Sequence, residues 1–397
     1  MHRLLPTLSL VARPVMDDTS FKPRNLGASL PVPNVQDLAA RPACLDHHVL
    51  HRYLRDDDDA PAALSPSSTN YAAALAAASS SVPVVDLARL LDPAHTDDEA
   101  ARLRAAGEDW GFFHVANHGV ADEVIHDVKE DIKAFFRLPL ADRQALAQGP
   151  AGIEGYGQAF VVSEDQKLDW ADMLFLSTQP PEYRSLNLWP SRPATFRDSL
   201  HRYSLAVQRV ATHMLAAMAR NLGLLVDHQD TAAGNGKNQM TAIAAAQAMR
   251  INYYPPCPQA HDRVLGLSPH SDAVGLTLLL QVSPVPGLQI RRGGAWIPVE
   301  PLPGALVANV GDVIEVLTNG RYKSIEHRAL VNASQERVSV AAFHSARFDG
   351  TYGPIQEIMR PGEAPLYRTI AVEDYVKLLL SNKLQGKSST IDAMKIN

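Results

Sequence analysis

Apolar positions along this chain follow two different periods. From Ser81 to about residue 240 they recur mainly at three- and four-residue spacing, which predicts amphipathic helices. VPVVDL reads as a short buried strand that opens this part. DDEAARLRAAGEDW, with acids in its first turn, predicts a helix that ends before Gly111 and the strand-like FFHVANH. Further helices are expected over about Ala121 to Phe136 and Phe196 to Leu222. DHQDTAAGNGKNQMTAIAA, without a clear period until about Thr241, is expected to be an exposed loop. From Met249 the texture changes to short β-type runs divided by Pro and Gly: MRINYY, LTLLLQ, LQIRR, WIPV, ALVANV, ALVN and VSVAAFH. Gly293 and Gly294 predict a hairpin turn, because positive φ costs glycine little. Gly311 and Asp312 are expected to form a turn between strands. The tail returns to helical spacing from about Val372 to Leu384. Together these elements predict a mainly β core, sandwich or barrel, with flanking helices.

The expected division is a largely flexible lead over 1–80, a helical region over 81–240 and a β domain with a C-terminal helix over 241–397. The lead carries RYLRDDDDAPAALSPSSTN and AAALAAASSS, which have the composition of a linker. MHRLLPTLSLVARPVM, with two arginines and no acid, resembles a short transit peptide; a cytosolic start is the preferred reading. At 397 residues and 46% hydrophobic, the chain can bury a large core. A net charge of -6 with no basic stripe removes the electrostatic case for nucleic acid, and no apolar run reaches the roughly 20 residues of a membrane span. Two cysteines, Cys44 and Cys257, are not a disulfide framework and fit a reducing cytoplasm; Cys257 is expected to be a buried, inert thiol.

Candidate chemistry centres on LSPHSDAVGLTLLL. On an alternating strand, residues i and i+2 share a face, so His270 and Asp272 can point at one centre. One imidazole and one carboxylate suit ferrous iron, and a second histidine, His327 in YKSIEHRALVN, would complete a facial triad with open positions. A polar turn is the competing reading. Arg337 and Ser339 in RVSVAAF again stand at i and i+2, where an arginine fork and a hydroxyl could hold a carboxylate. Tyr254 in RINYYPPCP could add a phenolic hydroxyl. The other histidines, His47 and His48 included, are expected to be solvated or packed in the core.

RINYYPPCP, LSPHSDAVGLTLLLQ, GLQIRRGGAWIPVEPLPGALVANVGDVIEVLTNGRYKSIEHRALVN and ERVSVAAF occur in an order that resembles the plant iron(II)- and 2-oxoglutarate-dependent dioxygenases. VPVVDL, WGFFHVANHGV and GYGQAFVVSEDQKLDWADMLFL resemble the N-terminal region of that family. GYGQAFVVSEDQKLDWADMLF and KLQGKSSTIDAMKIN are similar to its norcoclaurine-synthase-like and alkaloid O-demethylase-like branch. The resemblance runs from about Leu30 to Asn397. It implies a distorted jelly roll (a double-stranded, cupin-like β-helix) with iron near one open end. His270, Asp272 and His327 match the iron ligands, Arg337 and Ser339 the pair that holds the distal carboxylate of 2-oxoglutarate, and Asn252 and Tyr254 positions lining the co-substrate pocket. Phe343 matches a position where the family often sets an aromatic ring against substrate, with core packing the competing reading; Arg250 matches one where a relative's basic residue contacts substrate, and Phe160 is expected to reach the pocket from the N-terminal region. The implied cofactors are Fe(II), 2-oxoglutarate and O2, with ascorbate supportive. The implied reaction hydroxylates or oxidatively O-demethylates a small aromatic, indolic or hormone-like metabolite, releasing succinate and CO2. An ascorbate-dependent oxidase and a non-catalytic binding protein on the same fold are the alternatives. The expected partner is a small molecule, not nucleic acid or membrane, and the expected state is a cytoplasmic monomer, with the nucleus also open.

Overall fold

The computed structural model describes residues 30–41, 47–55, 82–149, 152–158, 161, 163–227, 238–381 and 389–396. It begins with two short helices, α1 (Val35–Ala40) and α2 (His47–His51). β1 (Val84–Asp86) runs into α3 (Leu87–Leu91), whose first turn is capped by the Asp86 carboxylate accepting from Arg89 N at 3.1 Å. α4 (Thr96–Ala105) carries Asp97, Asp98 and Glu99 in its first turn, as its dipole favours, and passes through a wide turn into β2 (Phe112–Ala116). Gly111 makes that transition at φ +63°, where a Cβ would also stand 2.1 Å from Lys323 O. Next come α5 (Asp122–Phe136), α6 (Leu140–Gln144), β3 (Gly155–Gly157) and β4 (Asp172–Gln179). α7 (Phe196–Asn221) buries Phe196, Leu200, Tyr203, Val207, Val210, Met214 and Met218, all at the spacing of one helical face.

The rest is β5 (Ala246–Tyr254), β6 (Leu265–His270), β7 (Leu276–Gln281), β8 (Leu288–Arg292), β9 (Ala295–Pro298), β10 (Leu306–Val310), α8 (Asp312–Leu317), β11 (His327–Leu330) and β12 (Arg337–Ser345). β13 (Thr351–Tyr352), β14 (Ile370–Ala371), α9 (Val372–Ser381) and α10 (Ser389–Met394) close it. An eight-stranded sheet has the order β1-β2-β10-β7-β12-β5-β4-β3, and a four-stranded sheet the order β6-β11-β8-β9. β1 and β2 pair in parallel; every other pair in these two sheets is antiparallel. The fold is the expected jelly roll with flanking helices. α7 packs against β4, β7 and β12 and against α5. With one face under that helix and the other turned to the second sheet, strands such as LVANV are buried throughout and carry little alternation. The β8–β9 hairpin turns at Gly293 (φ +57°) and Gly294 (φ +82°), between paired Arg292 and Ala295, as expected.

Three expectations need correction. The region over 81–240 is not only helical: it contributes β1 to β4, half the strands of the large sheet, so that sheet crosses the expected boundary near 240. DMLFLSTQ hides as a strand because it is buried almost throughout. The lead over 1–80 contains ordered structure: Val35, Leu38 and Tyr53 pack with Trp170, Cys257 and Val264, and Leu54 bridges to Val264. α1 is capped locally by Asn34, whose Oδ1 accepts from Asp37 N at 2.8 Å, and is fastened to the core by Asp172, which accepts from Val35 N at 3.0 Å and Gln36 N at 2.8 Å across a long sequence separation. Burial raises the Asp172 carboxyl to about 6 in spite of those two donors. Gly311 and Asp312 do not form a simple turn; Gly311 precedes α8, and Asp312 is its fully buried first residue. The transit-like start, the linker tracts and residues 228–237 of the expected loop lie outside the described residues, as do the side chains of His47 and His48. α9 is described as far as Ser381; residues 382–388, with the expected helix end at Leu384, likewise lie outside the described residues.

Candidate active site

β6 and β11 are antiparallel neighbours with His270 directly opposite His327, which sets the two rings 4.3 Å apart between centroids. Asp272 does not share their strand. His270 is the last residue of β6, and Asp272 lies two residues on, in the connection to β7. The expected strand spacing therefore brings the pair together for a different reason. Backbone N–H groups at the start of α8 grip the connection: Gly311 N donates to Gly275 O at 2.7 Å, Asp312 N to Asp272 O at 2.8 Å and Val313 N to Val274 O at 3.1 Å. Gly311 permits that approach, since a Cβ there would stand 2.1 Å from Val274 O.

The three side chains converge. His270 Nε2 and His327 Nε2 lie 3.5 and 3.6 Å from Asp272 Oδ1, and one ligating atom from each residue fits within 4.8 Å of the others. Each ring is oriented from behind, with Nδ1 of His270 2.8 Å from Ser268 O and Nδ1 of His327 3.1 Å from Ile325 O. A carbonyl only accepts, so Nδ1 carries the proton and Nε2 turns its lone pair to the centre. Asp272 Oδ2 accepts from Thr277 Oγ1 at 2.6 Å and Asn309 Nδ2 at 2.8 Å, which leaves Oδ1 for the same centre. Burial lowers His327 to about 4, with His270 beside it acting the same way against Asp272, so the imidazole is neutral near pH 7. Burial alone would raise the Asp272 carboxyl, but the charge that the imidazoles of His327 and His270 carry when protonated in acid, together with the Asn309 hydrogen bond, outweighs it and holds the carboxyl well below the usual carboxylate range. Two imidazole Nε2 atoms and one carboxylate oxygen on adjoining positions form a donor set suited to a divalent transition metal. Among the described residues this is the only such cluster of three or more His, Cys, Asp or Glu.

The opposite wall comes from β5 and β12, where Tyr254 faces Arg337 and Asn252 faces Ser339 across the ladder. Arg337 lies 5.2 Å from the Tyr254 ring centroid and donates through Nη2 to Gln281 Oε1 at 3.0 Å. Its Nε is buried with no hydrogen-bond partner. Burying such a donor unpaired is costly, and a carboxylate bound at the guanidinium would satisfy it. Gly287 leaves room beside it: a Cβ there would stand 3.0 Å from Arg337 Cδ. Tyr254, Asn252, Arg337, Ser339 and the triad line one cleft, and the site fits both a metal and a dicarboxylate co-substrate.

All but one of the expected site residues meet in this cleft. Arg250 and Phe343 line it with the triad, Arg337, Ser339, Asn252 and Tyr254. Phe160 lies outside the described residues. Several contributors had not been singled out. Thr277 and Asn309 aim Asp272; Phe112 packs edge-on against His327 with centroids 5.1 Å apart; Phe175 stands opposite Arg250 on β4, 6.4 Å from the Phe343 ring. Asn309 left a signal, as the sole polar residue of LVANV. Phe175 left none, since its strand was not recognised.

Residues 245–346 match the 2OG-Fe(II) oxygenase superfamily, and residues 82–192 match the N-terminal part described as non-haem dioxygenase in morphine synthesis. S-norcoclaurine synthase 1 of Coptis japonica is 43% identical over 372 residues, covering 94% of this chain and 98% of that protein. Oxoglutarate-dependent flavonoid 7-O-demethylase 1 of Ocimum basilicum is 40% identical over the full length of both. A crystal structure of JOX2 in complex with 2OG, Fe and JA superposes with a TM-score of 0.78 at 32% identity, covering 94% of this chain and all of that one.

Proposed function

The chain belongs to the 2OG-Fe(II) oxygenase superfamily and is a 2-oxoglutarate-dependent dioxygenase, and from that premise we propose that His270, Asp272 and His327 hold its iron while Arg337 and Ser339 hold the distal carboxylate of 2-oxoglutarate. The observation that carries this assignment is the convergence of three pre-aimed ligand atoms across the cleft from a buried guanidinium whose Nε has no partner. When bound, iron(II) and 2-oxoglutarate supply the coupling of dioxygen reduction to C–H hydroxylation, with succinate and CO2 released. The chain's own residues do the rest. Ser268 and Ile325 fix the histidine tautomers, Thr277 and Asn309 leave one Asp272 oxygen free, and Tyr254 and Asn252 wall the co-substrate. Arg250 and Phe343, which line the cleft, face the substrate.

The substrate is a small molecule with an aromatic or otherwise flat apolar body, a reading supported by the Phe343 ring, which lines the cleft with the triad and has Phe175 6.4 Å behind it. Hydroxylation of a methoxy carbon would leave a hemiacetal that loses formaldehyde, so hydroxylation and O-demethylation are two outcomes of one chemistry; relatives named as O-demethylases support the second. Among the described residues no helix is long and apolar enough to cross a membrane. We read the enzyme as a cytoplasmic monomer, a reading supported by a net charge of -6 and only two cysteines in 397 residues. The test is a panel of phenolic, indolic, alkaloid and carboxylic metabolites incubated with iron(II), 2-oxoglutarate and ascorbate. Mass spectrometry should find a product that gains one oxygen or loses a CH2 unit, with matching succinate. Turnover that persists without 2-oxoglutarate would overturn the assignment in favour of an ascorbate-dependent oxidase.

A further inference from the structure

Behind the candidate ligands sits a buried acid with no part in the chemistry just described. Asp312 is 0% exposed, at the first position of α8. One carboxylate oxygen accepts from Ser324 Oγ at 2.6 Å and the other from Ser271 Oγ at 3.1 Å, while its backbone N–H donates to Asp272 O at 2.8 Å. Ser271 is the residue between His270 and Asp272. Ser324 immediately precedes Ile325, whose carbonyl orients His327. One residue therefore touches the backbone of one ligand and the two segments that carry the others. Glu315, one turn further along α8, grips the second segment by accepting from Ser324 N at 2.7 Å, and itself accepts from Tyr367 OH at 3.0 Å.

We propose that Asp312 is a positioning residue for the metal centre, sharing its carboxylate between Ser271 and Ser324 so that His270, Asp272 and His327 are held at one spacing before metal arrives; this rests on reading those three as the metal ligands. The chemistry calls for an acid. Both hydroxyls donate to it, and a carboxylate offers an acceptor oxygen to each. An amide offers one acceptor oxygen and an NH2 that only donates, so one of the two serines would have to reverse its hydroxyl and accept, exchanging a charge-assisted bond for a neutral one. Neither serine nor Asp312 touches the metal, so their effect passes through ligand spacing. Loss of such supporting contacts typically costs about 10- to 100-fold in metal affinity.

The experiment titrates the apoprotein with cobalt(II), following the metal's absorption spectrum, in wild type, Asp312→Asn, Ser271→Ala, Ser324→Ala and the double serine variant, with thermal melting of each apoprotein alongside. The expected result is a loss of about 10- to 100-fold in cobalt affinity for Asp312→Asn, with an altered spectrum and with the apoprotein still folded at the titration temperature. Smaller losses are expected for each serine variant, and little further loss when Asp312→Asn is added to the double serine variant, because the three act as one unit. A folded Asp312→Asn protein that binds cobalt within twofold of wild type overturns the proposal. So does an Asp312→Asn effect that adds in full to that of the serine pair. His270→Ala serves as reference: undiminished cobalt binding there would sink the ligand assignment itself, whereas lost binding there with normal binding in Asp312→Asn sinks only the positioning role. Should Asp312→Asn not fold, the serine variants carry the test, and unchanged cobalt affinity in the double serine variant overturns it.

Discussion

Arg337 has one guanidinium arm tied to Gln281 and a buried Nε left without a partner, a state that favours occupation by an anion. Replacing it with lysine keeps the charge and removes the planar fork. Losing one charge-assisted hydrogen bond of about 1.5–3 kcal/mol should weaken 2-oxoglutarate binding about 10- to 100-fold in Arg337→Lys while leaving metal affinity near wild type. Succinate formation against 2-oxoglutarate concentration checks this, and an unchanged half-saturation point would remove Arg337 from its role. His344 makes a different kind of point. It stands on β12 with no exposure, 3.0 Å from Gln247 Nε2, and burial lowers its imidazole from 6.5 to about 4. A histidine kept neutral in the fold but free to charge when unfolded contributes stability that is fully present above about pH 6.5 and is lost as pH falls towards 4. The group should account for about 3 kcal/mol of acid destabilisation. Denaturant unfolding at pH 6.5 and 4.5 should therefore show a shallower loss in His344→Gln than in wild type; equal slopes would refute it.

Among the elements, the short helix α8 has the largest effect for its size, because its N-terminal backbone carries the Asp272 connection. Gly311→Ala would set a methyl 2.1 Å from Val274 O and 2.8 Å from Asp272 O. Overpacking of this sort costs about 1–3 kcal/mol, and here the strain falls on the metal ligand itself. The expected outcome is a lowered melting temperature together with weakened metal binding, measured by calorimetry on apo and metal-loaded protein. Loss of stability with metal affinity intact would disconnect α8 from the centre. α8 also marks where sequence legibility ended. The strands from Met249 onward, the helices ending at Phe136 and Asn221 and the glycine hairpin could be read because period and turn chemistry are local properties. Gly311 and Asp312 are expected as a turn, and the helix DVIEVL behind them escapes notice because six residues hold less than two helical turns of pattern. β4 escapes sequence reading because burial on both faces erases alternation, and α1 because six residues behind an Asn34 cap are too short to show a helical period and are tied down by Asp172, far off in sequence. The chemically active residues were legible for the opposite reason: His270, Asp272, His327, Arg337 and Ser339 are polar where the surrounding pattern demands apolar. Thr277, Asn309 and Asp312 act by aiming other side chains, and only three-dimensional neighbours disclose that.

At the scale of the molecule, residues 30–41 and 47–55 fasten to the outside of the β core. Tyr53 is 1% exposed and meets Trp170 edge-on with centroids 5.1 Å apart, over a cluster that includes Cys257. Arg55 reaches Asp169 at 2.8 Å and Ser268 Oγ at 3.0 Å, the residue whose carbonyl orients His270. Burial pushes the Cys257 thiol up, so it should react slowly with thiol reagents in the intact protein. Tyr53→Ala, by analogy with other large aromatic truncations, should cost about 3–5 kcal/mol. In a Cys44→Ser background, labelling of Cys257 should then speed up about tenfold for each 1.4 kcal/mol of local stability lost. Labelling as slow as in the parent would mean the segment does not guard this cluster. The large sheet imposes one more condition, on how the chain is made. β2 lies between β1 and β10, and Phe112 pairs with Asn309, roughly two hundred residues further along. At about 5–20 residues per second of translation, Phe112, Phe113 and Val115 leave the ribosome roughly 10 to 40 seconds before their partner strand exists. For that interval a nascent apolar ribbon has an unpaired edge, and the cell must shelter it if the catalytic cleft is ever to form.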